Sequence, residues 1–166
     1  DDGCDFEAST SYHRLVLEMF FYCEFLGKMQ GVEFPQLFRD KVRKMFEFSL
    51  YCIKPNGKIP QIGDNDSGRY LIFSSRPILQ HKYLLSLAAI YYRDSEFKPP
   101  EFSFDEEAFW VFGVQGCVVF EQLPVKAASL KSRVFPNAGW YIMRHNNDYC
   151  FISCGPNGQK GNVGHV

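Results

Sequence analysis

Tyr12 and His13 stand side by side at the start of an apolar-periodic stretch, directly after Glu7-Ala8-Ser9-Thr10-Ser11. A tyrosine in the first turn of a helix can serve as a general acid or base, because the positive end of the helix favours its phenolate and would lower its pKa. The competing reading is a packed tyrosine with a capped hydroxyl. A second group is Gly63-Asp64-Asn65-Asp66-Ser67-Gly68-Arg69, a dense polar loop. There Asp64 and Asp66 could orient a sugar, and Arg69 could grip a carboxylate bidentately. Asp and Asn also satisfy their own backbone in ordinary surface turns. The loop lacks the longer spacing to a bidentate Glu that calcium loops use. His165 follows Gly164 in a glycine-rich loop, where an imidazole suits proton abstraction or metal binding. His81, on a predicted helix, and His145, at the end of a hairpin strand, have less to recommend them.

These groups need helices and then strands to position them. Apolar residues at Tyr12, Leu15, Val16, Met19, Phe20, Cys23 and Leu26 follow the spacing of one helical face and predict a helix from Ser9 to Gln30. Ser9, Thr10 or Ser11 supplies its N-cap and Gly31 follows its end. Phe38, Val42, Met45, Phe46 and Ser49 predict a second helix from Pro35 to about Ile53, antiparallel to the first. A third reads from about Pro77 to Tyr92, and a short fourth from Asp105 to Phe112. The period then changes. Runs at 117–120, 130–135, 140–144 and 149–154 predict strands, with Asn146-Asn147 as a hairpin turn. Pro124 and Ala127-Ala128-Ser129 make a plausible connection between domains.

Composition narrows the function classes. Hydrophobic residues are 46% of the 166 and aromatics 17%, ample for a packed core. Net charge is −1 with no basic block, which argues against a nucleic-acid partner. No apolar run reaches the roughly 18 residues of a membrane span. The start at Asp1-Asp2-Gly3 carries neither an initiator Met nor a signal-peptide pattern, so the chain reads as an internal piece of a larger protein. Six cysteines form no CxxC pair, and Cys23, Cys150 and Cys154 are expected to be unpaired core thiols. The absence of GxSxG, P-loop, GxGxxG and HExxH patterns leaves serine hydrolase, nucleotide-binding and zincin readings without support.

Three segments, in order, resemble the heparinase II/III family of polysaccharide lyases: Asp2 through His13, Pro60 through Arg69, and Phe135 through Trp140 running on to Gly155-Pro156 and Gly164-His165-Val166. The resemblance implies an α+β multidomain protein in which 1–113 is the C-terminal part of an incomplete α/α toroid and 114–166 the first strands of an antiparallel β-sandwich. It implies β-elimination at a uronic acid: a base removes the C5 proton, the substrate carboxylate is neutralised, and an acid protonates the departing oxygen. By motif, Tyr12 matches the catalytic tyrosine and His165 the catalytic histidine. His13 matches a companion position, and Asp64, Asp66 and Arg69 fall in the substrate groove. The carboxylate-neutralising residue would lie before Asp1 and a further histidine after Val166, so these 166 residues alone are expected to be inactive. No cofactor is expected within them; a divalent metal, zinc or calcium, has a place in the full-length protein. The partner implied is an acidic polysaccharide, in the periplasm or outside the cell, with the cytoplasm as the alternative. A non-catalytic glycan-binding or assembly protein of bacterial surface-polysaccharide biosynthesis is the other reading.

Overall fold

The computed structural model describes residues 2–100, 102–125 and 130–155. Four helices, α1 (Thr10–Met29), α2 (Gln36–Cys52), α3 (Tyr83–Tyr92) and α4 (Glu106–Gln122), precede three strands, β1 (Arg133–Phe135), β2 (Trp140–His145) and β3 (Asp148–Ser153). The strands form one antiparallel sheet in sequential order. The protein is therefore a mixed α+β structure. The hairpin turn falls where expected, with Asn146 at φ 52°, a conformation Asn tolerates better than most residues.

Helix α1 lies within its expected bounds but presents the opposite face. Met19, Phe20, Cys23 and Leu26 are exposed, while Arg14, Leu17, Glu18, Phe21 and Glu24 are buried. The helix is apolar nearly all round, so periodicity alone offers two stripes. Arg14, Glu18 and Glu24 turn inward, where Gly68, Ile78, Tyr70, Tyr83 and Tyr91 supply hydrogen-bond partners. Helix α2 buries Val42, Met45, Phe46 and Ser49 as its pattern requires.

Two boundaries move for identifiable reasons. Helix α3 starts at Tyr83 rather than Pro77, since the carbonyls that an earlier turn needs are engaged elsewhere: Ile78 O accepts from Arg14 Nη1 at 2.9 Å and Leu79 O from Ile59 N at 2.9 Å. Helix α4 continues through the expected 117–120 strand to Gln122, with a kink at Gly113, where φ is 62°. Lys98 Nζ reaches the end of α4 and donates to Phe120 O at 2.7 Å and Leu123 O at 2.9 Å, a cationic cap that suits a helix C-terminus. The change from helix to strand thus comes after Gln122, and β1 is shorter than the expected 130–135 run.

The core falls into two clusters. One lies between α1, α2, α3 and α4; the other joins Phe48, Cys52 and Ile59 to Phe135, Trp140 and Ile142 of the sheet. Trp140 is completely buried, its ring 5.1 Å from Phe48. Arg144 Nη2 donates to Tyr51 O and Ile53 O at the end of α2, and Tyr149 Oη donates to Cys52 O at 3.0 Å. Asp2 closes the junction by accepting from Asn137 N at 2.8 Å and Ala138 N at 3.1 Å.

All six cysteines are unpaired, yet Cys23, Cys150 and Cys154 are exposed rather than in the core. Cys23 shares the outward stripe of α1. Cys150 pairs in register with Met143, which is also exposed. None of the described helices is long and apolar enough to cross a membrane.

Candidate active site

The polar loop before Arg69 lies along the first turns of α1, stitched to it residue by residue. Ser9 caps the helix, accepting from Tyr12 N, and donates its own hydroxyl to Asp64 O at 2.9 Å. Thr10 N donates to Ile62 O at 3.0 Å, and its hydroxyl donates to Pro60 O at 3.0 Å. Ser11 Oγ donates to Asn65 Oδ1 at 2.7 Å, and Arg14 Nε to Gly68 O at 2.8 Å. Tyr12 Oη donates to Asp66 Oδ2 at 2.7 Å. The run Ser9-Thr10-Ser11 is thus occupied in holding the loop as well as in starting the helix.

This register puts three carboxylates around one phenol. The hydrogen bond to Asp66 is the chief reason the Tyr12 hydroxyl holds its proton more tightly than usual; desolvation and the charges of Asp66, Asp64 and Glu7 act in the same direction. The helix N-terminus was expected to favour the phenolate, but nearby carboxylates outweigh it. Asp64 and Asp66 are exposed and Tyr12 is half-buried.

His13 is completely buried beneath this surface. Its Nδ1 accepts from Asp5 N at 3.3 Å, so the other nitrogen carries the proton, which Nε2 can give to Met45 O at 3.1 Å. Ser49 Oγ lies 3.1 Å from the same nitrogen and Phe48 packs on the ring at 4.5 Å. Burial lowers its pKa to about 4, opposed in part by the bond to Met45. His13 is therefore neutral at pH 7 and fixes the first turn of α1 against α2.

Arg69 also turns inward. Its side chain is 7% exposed and donates to Glu107 Oε1 at 2.6 Å. Arg76 reaches the same oxygen at 3.3 Å and holds Asp105 through two bonds of 2.7 and 3.0 Å. The guanidinium groups of Arg69 and Arg76 lie over the Tyr83 ring at 4.8 and 4.7 Å, and the Tyr83 hydroxyl donates to Glu18. Glu18 further accepts from Tyr70 N at 2.5 Å. Burial raises the pKa of Glu18, and the Tyr83, Tyr70, Arg69 and Arg14 contacts oppose that rise. Sequence reasoning missed this interior network. The available signal was Arg14 and Glu18, four apart in a helix rich in apolar residues.

The structure therefore brings Tyr12, Asp64 and Asp66 together at the surface and sets His13 and Arg69 below it. His165 lies outside the described residues. Among the described residues no three His, Cys, Asp or Glu side chains stand close enough to hold a metal ion.

The family model for the heparinase II/III N-terminus matches residues 1–98, more than half of the chain and all of the Tyr12 surface. The chain belongs to the heparinase II/III family. No curated protein and no solved structure matches it. Within this heparinase II/III chain the matched part runs from the N-terminal arm through α3 and ends just past the Ser95–Phe97 turn, at Lys98. Both segments that form the Tyr12–Asp66 pair are thus inside it.

Proposed function

We propose that this chain supplies the tyrosine side of a polysaccharide lyase site, cleaving a uronic-acid-containing glycan by β-elimination. The observation that carries the reading is Tyr12 Oη, presented at the start of α1 with its proton directed to Asp66 at 2.7 Å. In the reaction a base takes the C5 proton, the C4–O bond breaks with its electron pair going to the departing oxygen, and a C4–C5 double bond forms. Tyr12 protonates that oxygen. A phenol carries its proton at neutral pH, and the bond to Asp66 with the surrounding carboxylates raises its pKa further, so Tyr12 enters the reaction as proton donor rather than as base.

The same acidic surface is unsuited to gripping a uronate carboxylate, and Arg69 is committed to Glu107. The neutralising group belongs to another side of the groove, where it stabilises the charge that develops at the carboxylate. His165 is assigned as base or charge stabiliser. Asp64 and Asp66 accept from sugar hydroxyls, with His13 and Arg69 supporting from beneath. A divalent metal, zinc or calcium, belongs to the full-length protein.

In this reading the end of an α/α toroid, expected from the sequence over 1–113, extends through α4 to Gln122, and the β-sandwich expected over 114–166 starts with β1. Two surfaces support it. The outward stripe of α1 carries Met19, Phe20 and Leu26, as a helix covered by further helices would. The open face of the sheet carries Val134, Tyr141, Met143 and Ile152, as a sheet packed on both sides would. The test is full-length protein on heparan-, chondroitin- and alginate-type polymers, read by the ultraviolet absorbance of unsaturated uronate. Product from wild type, formed at least about a hundredfold more slowly by Tyr12→Phe, is the expected outcome.

A further inference from the structure

We infer that Asn65 is a positioning residue for the Tyr12 site, acting through Asp66. Its side-chain oxygen accepts twice, from Ser11 Oγ at 2.7 Å and from Ser67 N at 3.2 Å. One bond ties the loop just before Asp66 to the buried Ser11, the residue before Tyr12 in the first turn of α1. The other closes the loop just after Asp66. Asp66 is itself exposed, so packing does little to hold it, and the bonds on either side decide where its carboxylate points.

The bond to Ser67 N has a demanding backbone to hold. Ser67 stands at φ 58°, in the left-handed region that residues other than Gly, Asn and Asp seldom adopt. One residue on, Gly68 O accepts from Arg14 Nε at 2.8 Å, and a Cβ at Gly68 would lie 3.2 Å from Ser11 O. The chain is thus pinned against α1 at Asn65 and again at Gly68, and it turns at Ser67 between the two. Asp66 is carried by that turn, and its Oδ2 comes to 2.7 Å from Tyr12 Oη.

Asparagine suits the task. The Ser67 N–H can only donate, which settles that the amide oxygen faces it, and the Ser11 hydroxyl then donates to the same oxygen. The amide supplies this acceptor without a further charge beside Glu7, Asp64 and Asp66, which already act on the phenol. Without it the left-handed turn at Ser67 loses its support, Asp66 leaves the phenol, and Tyr12 loses the hydrogen bond that is the chief reason it holds its proton tightly.

This role rests on the reading of Tyr12 as proton donor, but the phenol's own titration reports it without turnover. An assay without lyase product leaves the titration standing, and a failed titration leaves the donor assignment standing. The measurement is nuclear magnetic resonance of full-length protein carrying an isotope label at tyrosine Cζ, titrated upward from pH 7, with the Tyr12 signal identified by its loss in Tyr12→Phe. Asn65→Ala should lower the Tyr12 pKa by at least half as much as Asp66→Asn does, and Ser11→Ala should lower it in the same direction. Asn65→Asp keeps the acceptor and should not lower it. Ser67→Gly added to Asn65→Ala should restore part of the shift, because glycine adopts the turn freely. In the Asp66→Asn background Asn65→Ala should have no further effect. Matching thermal melts would show that the fold is intact. A wild-type Tyr12 titration in both Asn65→Ala and Ser11→Ala would overturn the role. So would an equal lowering by Asn65→Asp, or a full effect of Asn65→Ala where Asp66 is already replaced.

Discussion

Tyr12 Oη and Asp66 Oδ2 are 2.7 Å apart across 54 residues of sequence, and the phenol is the donor. Asp66 therefore does more than line a groove: it sets how firmly Tyr12 holds the proton it is to deliver. The activity of a general acid is lost as pH rises through its pKa, and Asp66 pushes that pKa upward. Asp66→Asn keeps an acceptor but removes the charge. The basic limb of the kcat/KM profile should move to lower pH, with the acidic limb in place. A basic limb that does not move would show that Asp66 leaves the Tyr12 proton unaffected.

His13 ties stability to pH. Its pKa is lowered from 6.5 to about 4 by burial, so its contribution is fully present above pH 6.5 and is lost as pH falls toward 4. The whole effect is about 3 kcal/mol, of which about 2 kcal/mol is gone by pH 5. Buried His81 is lowered as well, by burial and then by Arg14 and His13, and adds a loss of the same sign. Urea denaturation at pH 7 and pH 5 should show a smaller difference for His13→Asn than for wild type, with a remainder from His81. Equal differences would contradict the assignment.

Arg69→Met should lower stability by about 3 kcal/mol, because it leaves the buried Glu107 carboxylate with less compensation. Arg76 and Ser74, which also reach that carboxylate, keep the loss near the lower end of the usual range. Thermal melts check this. A change within about 0.5 kcal/mol is what an exposed arginine would give, and would place Arg69 in the groove instead.

Gly3→Ala tests the junction between helices and sheet. Gly3 has φ 97°, and a Cβ there would run into the Lys44 carbonyl. The substitution should cost more than about 1 kcal/mol and weaken the Asp2 bonds to Asn137 and Ala138. Unchanged denaturation midpoints would show that the arm is not needed.

The helices were legible in the chain because periodicity and caps are local: Ser9 caps α1, and Pro35 immediately precedes α2. The hairpin was legible because Asn146 tolerates positive φ. The orientation of α1 was not, because its apolar residues lie on more than one face and neither is the inside until Arg14 and Glu18 find Gly68, Ile78, Tyr70 and Tyr83, more than fifty residues away. The strand expected at 117–120 failed for a related reason. Val118 and Val119 favour strands locally, but packing of α4 on α3 and the Lys98 cap decide for helix. At the site, residue types pointed to Tyr12, Asp64 and Asp66. Nothing local revealed that Ser9, Thr10 and Ser11 hold the loop in place, or that His13 and Arg69 face inward.

The most direct test of the central claim is the initial rate of unsaturated-uronate formation by full-length wild type and Tyr12→Phe, on the uronate polymer that the wild type cleaves fastest. Tyr12→Phe should lose about 10²- to 10⁴-fold in rate, with an unchanged thermal midpoint. A variant that keeps the wild-type rate, or a wild type that yields no unsaturated product from any of the polymers, would contradict it.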